Sequence, residues 1–148
     1  MFFKKSKIAV IGSGAWGSAI ANLIAKNSKA GVVLVSNNSE IAEEINEKHT
    51  NNKFLPDVSL NAQLKASYSL ENEIANADYI FIAVPSKNLR ELLIEISCIK
   101  LKQNCGFIIC TKGLESSSLK FAHQLIEEYF GEKNCAILSG PNFAIEVA

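Results

Sequence analysis

Four short stretches carry residue types and spacings suited to chemistry. The first is Gly12-Ser13-Gly14-Ala15-Trp16-Gly17, a G-x-G-x-x-G. Alone the pattern is weak. It gains meaning where a strand precedes it, a helix follows it and a second strand begins about 15 residues on. In that setting Gly12 allows the tight turn, Gly14 lets a pyrophosphate approach the backbone, and Gly17 lets the helix pack close to the strand. The helix start then offers unpaired N–H groups and about half a positive charge to an anion. A glycine turn without a ligand is the alternative.

The other three stretches each follow an apolar run. Val84-Pro85-Ser86 suits a wall beside a cofactor, or a plain strand stop with a cap. Thr111-Lys112-Gly113 puts an ammonium at a strand end, where it can hold a phosphate, polarise a substrate oxygen or simply face solvent. Ser139-Gly140-Pro141-Asn142 permits close backbone approach at Gly140 and offers donors and acceptors at Asn142; it also suits an ordinary turn. At the second strand's end, an acid would bind the ribose hydroxyls of NAD, and an Arg would accept the 2′-phosphate of NADP. Here stand Ser36-Asn37-Asn38, neither acid nor base. The choice between NAD and NADP stays open, with a slight lean to NAD or to dual use. Asn37 and Asn38 also suit simple helix capping.

Strand-like runs alternate with helical patterns. Lys7–Ile11 reads as a buried strand, 17–26 as a helix with Ile20, Leu23 and Ile24 on one face, and 32–35 as a second strand. A short helix over 40–48 carries Ile41 and Ile45, with Asn37 and Glu40 spaced as a capping box. Residues 49–57 form a polar loop, 65–68 a weak strand, and 70–76 a helix that Ser69 can cap. A strand over 79–84 precedes a helix over 87–96 with Leu89, Leu92, Leu93 and Ile96 in one stripe. A strand over 107–110, a helix over 118–130 closed by Gly131, and a strand over 135–138 follow. Such apolar strands belong to parallel sheets covered on both faces. The expected fold is α/β: a Rossmann-like doubly wound parallel sheet of about six strands, helices on both faces, in one dinucleotide-binding domain over residues 1–148.

Composition agrees. The 148 residues are 48% hydrophobic and 20% charged, which excludes disordered and fibrous classes. Fifteen basic residues balance fifteen acidic ones, so no field of one sign draws nucleic acid or a membrane surface. Cys98, Cys105, Cys110 and Cys135 match no metal spacing and read as small buried hydrophobes of a reducing compartment. The start has no signal-peptide pattern, and no apolar run approaches a membrane span. A cytoplasmic protein is expected. His49 and His123 suggest no catalytic arrangement, and Glu43, Glu44 and Glu47 read as a solvated helix face. The stretch from Phe143 to Ala148 looks like the opening turn of a helix that stops uncapped, so a fragment or truncated product is expected.

Taken in order, Gly12–Gly17, Phe54-Leu-Pro56, Val84-Pro-Ser86, Thr111-Lys-Gly-Leu-Glu115 and Ser139-Gly-Pro-Asn-Phe-Ala144 resemble the N-terminal domain of bacterial NAD(P)-dependent glycerol-3-phosphate dehydrogenases. The resemblance spans essentially the whole chain. It implies an oxidoreductase that interconverts dihydroxyacetone phosphate and sn-glycerol 3-phosphate for phospholipid synthesis, a homodimer when whole. Ala15 and Trp16 would lie at the cofactor phosphates, Asn37 near the adenosine ribose and Ala144 at the cofactor. Lys112 would touch cofactor and substrate; Gly140 and Asn142 would line the substrate site. Ala15, Asn37 and Asn142 depart from the family's usual Ser, Arg or His, and Ser or Thr. The family's general acid/base is a Lys on a helical C-terminal domain, which the resemblance places beyond Ala148. No catalytic residue is therefore assigned within the chain, and low activity is expected of it. Two alternatives remain: the cofactor domain of another hydroxyacid-type dehydrogenase, and a stand-alone dinucleotide-sensing module.

Overall fold

The structure, a computed structural model, describes residues 5–132 and 134–148. Its centre is a parallel sheet of six strands: β1 (Lys7–Ile11), β2 (Gly31–Val35), β3 (Lys65–Ser67), β4 (Tyr79–Ile82), β5 (Gly106–Ile109) and β6 (Cys135–Ile137). They lie in the order β3-β2-β1-β4-β5-β6. The helices are α1 (Ala15–Asn27), α2 (Ser39–Lys48), α3 (Leu70–Ile74), α4 (Leu89–Ser97), α5 (Ala122–Phe130) and α6 (Ala144–Val147).

Strand alternation divides the core. Ala9 and Ile11 of β1 point to the layer with Ile74, Leu89, Leu93, Ile96 and Leu125 from α3, α4 and α5. Val10 points the other way, to Ala19, Ile20, Ile41 and Ile45 from α1 and α2. Both faces are thus covered, as the doubly wound expectation required. Phe107, 1% exposed, is among the largest fully buried side chains, and burial of one such group stabilises by about 1.5–3 kcal/mol.

Register positions the site. Val35 pairs with Ile11, Ile11 with Ile82, Ile82 with Ile109, and Ile109 with Ile137. The carboxyl ends of five strands therefore form one straight row, and each candidate loop starts just beyond it.

Several local expectations change. Asn38, not Asn37, caps α2: its Oδ1 accepts from the N–H groups of Glu40 and Ile41. Ser69 occupies the cap position of α3 without a side-chain cap bond. Leu23 is exposed on α1, which curves its stripe onto Ile20 and Ile24. The last long helix starts at Ala122, four residues after the expected 118, because Leu119 adopts φ 57°, outside helical space. All three residues of β6 are exposed, unlike the buried strand expected there. Cys105 and Cys110 are buried, whereas Cys98 and Cys135 are exposed. Glu44 is no idle surface acid: it accepts from Thr50 Oγ1 and from the backbone N–H and side chain of Asn52, which pins the loop after α2.

Ala148 follows α6, and its backbone oxygen accepts from Lys26 Nζ at 2.6 Å and from Asn22 Nδ2 at 3.1 Å. Among the described residues, no helix is long and apolar enough to cross a membrane.

Candidate functional site

The glycine loop runs from β1 into α1. The Gly12 N–H donates to the Val35 carbonyl at 2.9 Å, and its φ is 112°. A Cβ there would stand 2.6 Å from the Ala83 carbonyl oxygen. A Cβ on Gly17 would overlap the carbonyl oxygen of Gly12. Gly14 is different. Its φ of −67° suits any residue, and an added Cβ would meet nothing within 4 Å. Nothing inside the protein demands glycine at this position, so the open space over its backbone is what the missing side chain preserves. The cap position of α1 is Gly14, so no side chain caps the helix start, whose first N–H groups lack partners within the helix.

The loop is held by buried polar residues. The hydroxyls of Ser13 and Ser36 lie 2.7 Å apart, which ties the loop to the end of β2. Asn51 Nδ2 donates to the Ser13 carbonyl and to Ser18 Oγ, both at 2.8 Å. Sequence reading missed all three contacts. Their partners lie 23 to 38 residues apart, which no local pattern reports.

Across from this loop, Thr111 Oγ1 donates to the Val84 carbonyl at 2.8 Å and so joins the ends of β4 and β5. Lys112 then reaches out. Its Nζ donates to the Gly140 carbonyl at 3.0 Å and stands 5.6 Å from the centroid of the Trp16 ring. Trp16 Nε1 is buried and has no hydrogen-bond partner among the described residues. A buried donor of this kind costs free energy unless something accepts from it.

Between these walls lies a cleft of about 1010 Å³. Of the residues singled out by sequence, Gly12, Gly14, Ala15, Trp16, Asn37, Pro85, Lys112, Asn142 and Ala144 line it. Gly17 does not; it serves the loop's packing. Gly140 is also off the lining and takes part through its carbonyl on Lys112. Ala148, the residue past which the general acid/base is expected, is likewise off the lining; it packs with the α1–α2 layer of the core. Asn37 and Asn38 divide the two roles that sequence left open: Asn38 caps α2 and Asn37 faces the cleft. Ser86 lines the cleft and begins a single 3-10 turn over Ser86–Asn88, without a side-chain cap bond. Phe54, Tyr68 and Leu92 supply apolar wall that sequence reading did not assign to the site. Lys112 is the one Lys or Arg on the lining among the described residues, where Glu91 and Glu95 are the acids. Cys110 also borders the cleft, and burial pushes its thiol up to about 12. His49 caps the end of α2 and His123 stacks on Phe121, both away from the cleft.

The family described as NAD-dependent glycerol-3-phosphate dehydrogenase N-terminus matches residues 7–148. A glycerol-3-phosphate dehydrogenase [NAD(P)+] of Neorickettsia sennetsu is 41% identical over 138 residues, which is 93% of this chain and 40% of the relative. That of Wolbachia pipientis is 39% identical over 141 residues, 95% of this chain and 42% of the relative. The crystal structure of glycerol-3-phosphate dehydrogenase from Coxiella burnetii superposes with a TM-score of 0.88 at 30% identity, over 97% of this chain and 43% of that one. The chain thus spans about two fifths of the curated relatives it matches.

Proposed function

The chain belongs to the NAD-dependent glycerol-3-phosphate dehydrogenase N-terminal family, and from that premise we propose that it is the dinucleotide-binding part of an enzyme that interconverts dihydroxyacetone phosphate and sn-glycerol 3-phosphate. The observation that carries the proposal is Gly14: an unstrained glycine, at an uncapped helix start, over which a Cβ would meet no protein atom. Such a cradle suits a pyrophosphate, which needs close backbone approach and N–H donors. Trp16 borders the same cleft.

Gly12, Gly14, Ala15 and Trp16 would hold the phosphates, with Gly17 keeping α1 tight against the sheet. Asn37 would face the adenosine ribose; as an amide it can bond hydroxyls without repelling a phosphate, which suits NAD and NADP alike. Pro85 and Ala144 would form walls beside the cofactor. A bound dinucleotide supplies the hydride chemistry at its nicotinamide. Lys112 would stabilise negative charge on the substrate's carbonyl oxygen as reduction proceeds, with Gly140 and Asn142 shaping the substrate's place. A general acid must protonate that oxygen. We assign it to a helical domain beyond Ala148, as the family resemblance implies. A homodimer of the full-length protein is the assembly that the same resemblance supports, and the free cysteines suit a reducing, cytoplasmic compartment.

The test is direct. The 148-residue chain should bind NADH saturably, yet oxidise it with dihydroxyacetone phosphate no faster than background. Failure of the folded chain to bind any dinucleotide would refute the proposal. Cofactor-dependent turnover by this chain would refute the placement of the acid elsewhere.

A further inference from the structure

Behind Lys112 lies a polar cluster that the reaction does not use. After Lys112 the chain turns at Gly113, with φ 92°, and closes on itself through the bridge between Leu114 and Phe121. The Glu115 N–H donates to the Lys120 carbonyl at 3.0 Å, and the Leu119 N–H to the Glu115 carbonyl at 2.8 Å. The Glu115 side chain points inward and is only 8% exposed. There Arg90 of α4 grips it with both arms of the fork: Nε donates to Oε1 at 2.6 Å and Nη2 to Oε2 at 2.8 Å. Ser118 Oγ also donates to Glu115 Oε2. Arg90 Nη1 is fixed in turn by Glu128 and the Tyr129 hydroxyl of α5, each at 2.9 Å. Bidentate pairs of this kind fix orientation as well as adding energy.

Loop 111–121 therefore has two anchors. Thr111 fixes its start to the ends of β4 and β5, and Arg90 fixes its middle to the α4–α5 layer. Lys112 lies between them. Anchoring the backbone on both sides narrows the range of places that its flexible four-carbon stem can reach. We propose that the Arg90–Glu115 pair is a positioning device: it holds loop 111–121 so that Lys112 stays at the cleft, between the Trp16 ring and the Gly140 carbonyl. The inference rests on the reading that Lys112 serves the dinucleotide site.

The test compares the wild-type chain with Glu115→Gln, Arg90→Lys and Arg90→Met. Two probes are titrated into each: NADH, and ADP, which lacks the nicotinamide half. Glu115→Gln and Arg90→Met should weaken NADH binding at least fivefold and leave ADP within twofold. Arg90→Lys, which keeps the charge and loses the fork, should fall between them and wild type. Arg90→Met combined with Glu115→Gln should be no weaker than the worse single variant, because both break one device. Equal losses for NADH and ADP would reduce the pair to general fold stability and overturn the proposal, as would unchanged NADH affinity.

A second readout needs no ligand. The Leu119 amide should exchange at least tenfold faster in Glu115→Gln, and the Lys112 amine should acylate faster. If the wild type binds no NADH, the dinucleotide reading falls; unchanged exchange and acylation would then overturn the positioning role by itself.

Discussion

Lys112 Nζ donates to the carbonyl oxygen of Gly140 at 3.0 Å, joining two loops that are 28 residues apart in the chain. The bond links two loops that leave neighbouring strands at the same level of the sheet. A backbone carbonyl is a modest partner for an ammonium, and it leaves two of the three N–H donors for a ligand.

Lys112→Ala should weaken dinucleotide binding by about 1–3 kcal/mol, the range for a lost hydrogen bond from a charged group. Calorimetric titration with NADH measures it. The fold should stay intact, since the Lys112 side chain is exposed and its bond to Gly140 lies at the surface.

Gly17→Ala should act on stability instead. The new methyl would overlap the Gly12 carbonyl, and that oxygen belongs to backbone that cannot swing aside. A destabilisation of about 1–3 kcal/mol or more is expected, the cost of overpacking a tight junction. Urea unfolding with unchanged slope would measure it.

Gly14→Val should do the reverse. The backbone at φ −67° accepts valine, and no protein atom lies within 4 Å of the new Cβ. Stability should change little, while NADH affinity should fall at least tenfold, about 1.4 kcal/mol. The opposite behaviour of two glycines three residues apart separates packing from ligand approach.

The strands and the glycine loop were legible because their signals are local. Apolar runs of four to six residues marked β1, β2, β4 and β5, and three glycines in six residues marked the turn into α1. What escaped depends on distance. Asn51 steadies Ser13 only because the loop after α2 folds back over α1, and Glu115 meets an arginine 25 residues earlier. The contacts of Asn22 and Lys26 with the Ala148 oxygen likewise join residues more than a hundred positions apart. The late start of α5 has the same cause: the closed loop around Glu115 puts Leu119 at positive φ, a choice that no propensity scale favours. Asn37 and Asn38 were interchangeable on paper. The chain's exit from β2 gave one of them to the cap and the other to the cleft.

Glu115 also gives the protein an acid-sensitive joint. The hydrogen bonds from Arg90, and then from Ser118, hold its carboxyl down at about 2, against an ordinary value of 4.5. A carboxyl depressed on folding stabilises fully above its unfolded value and loses that contribution as pH falls toward the folded one. Wild-type stability should therefore decline between about pH 4.5 and about pH 2. The urea midpoint of Glu115→Gln should fall less steeply across that window. Parallel curves for the two proteins would contradict the assignment.

Trp16 is the single tryptophan, and it sits in the glycine loop against the cleft. Its fluorescence therefore reports on the site without a label. Titration of the folded chain with NADH, and separately with NADPH, should quench Trp16 saturably and transfer energy to the nicotinamide. The ratio of the two affinities should lie near unity or lean to NADH, as an Asn at position 37 implies. An unquenched Trp16 with either dinucleotide, in a chain whose circular dichroism shows it folded, would contradict the account at its centre.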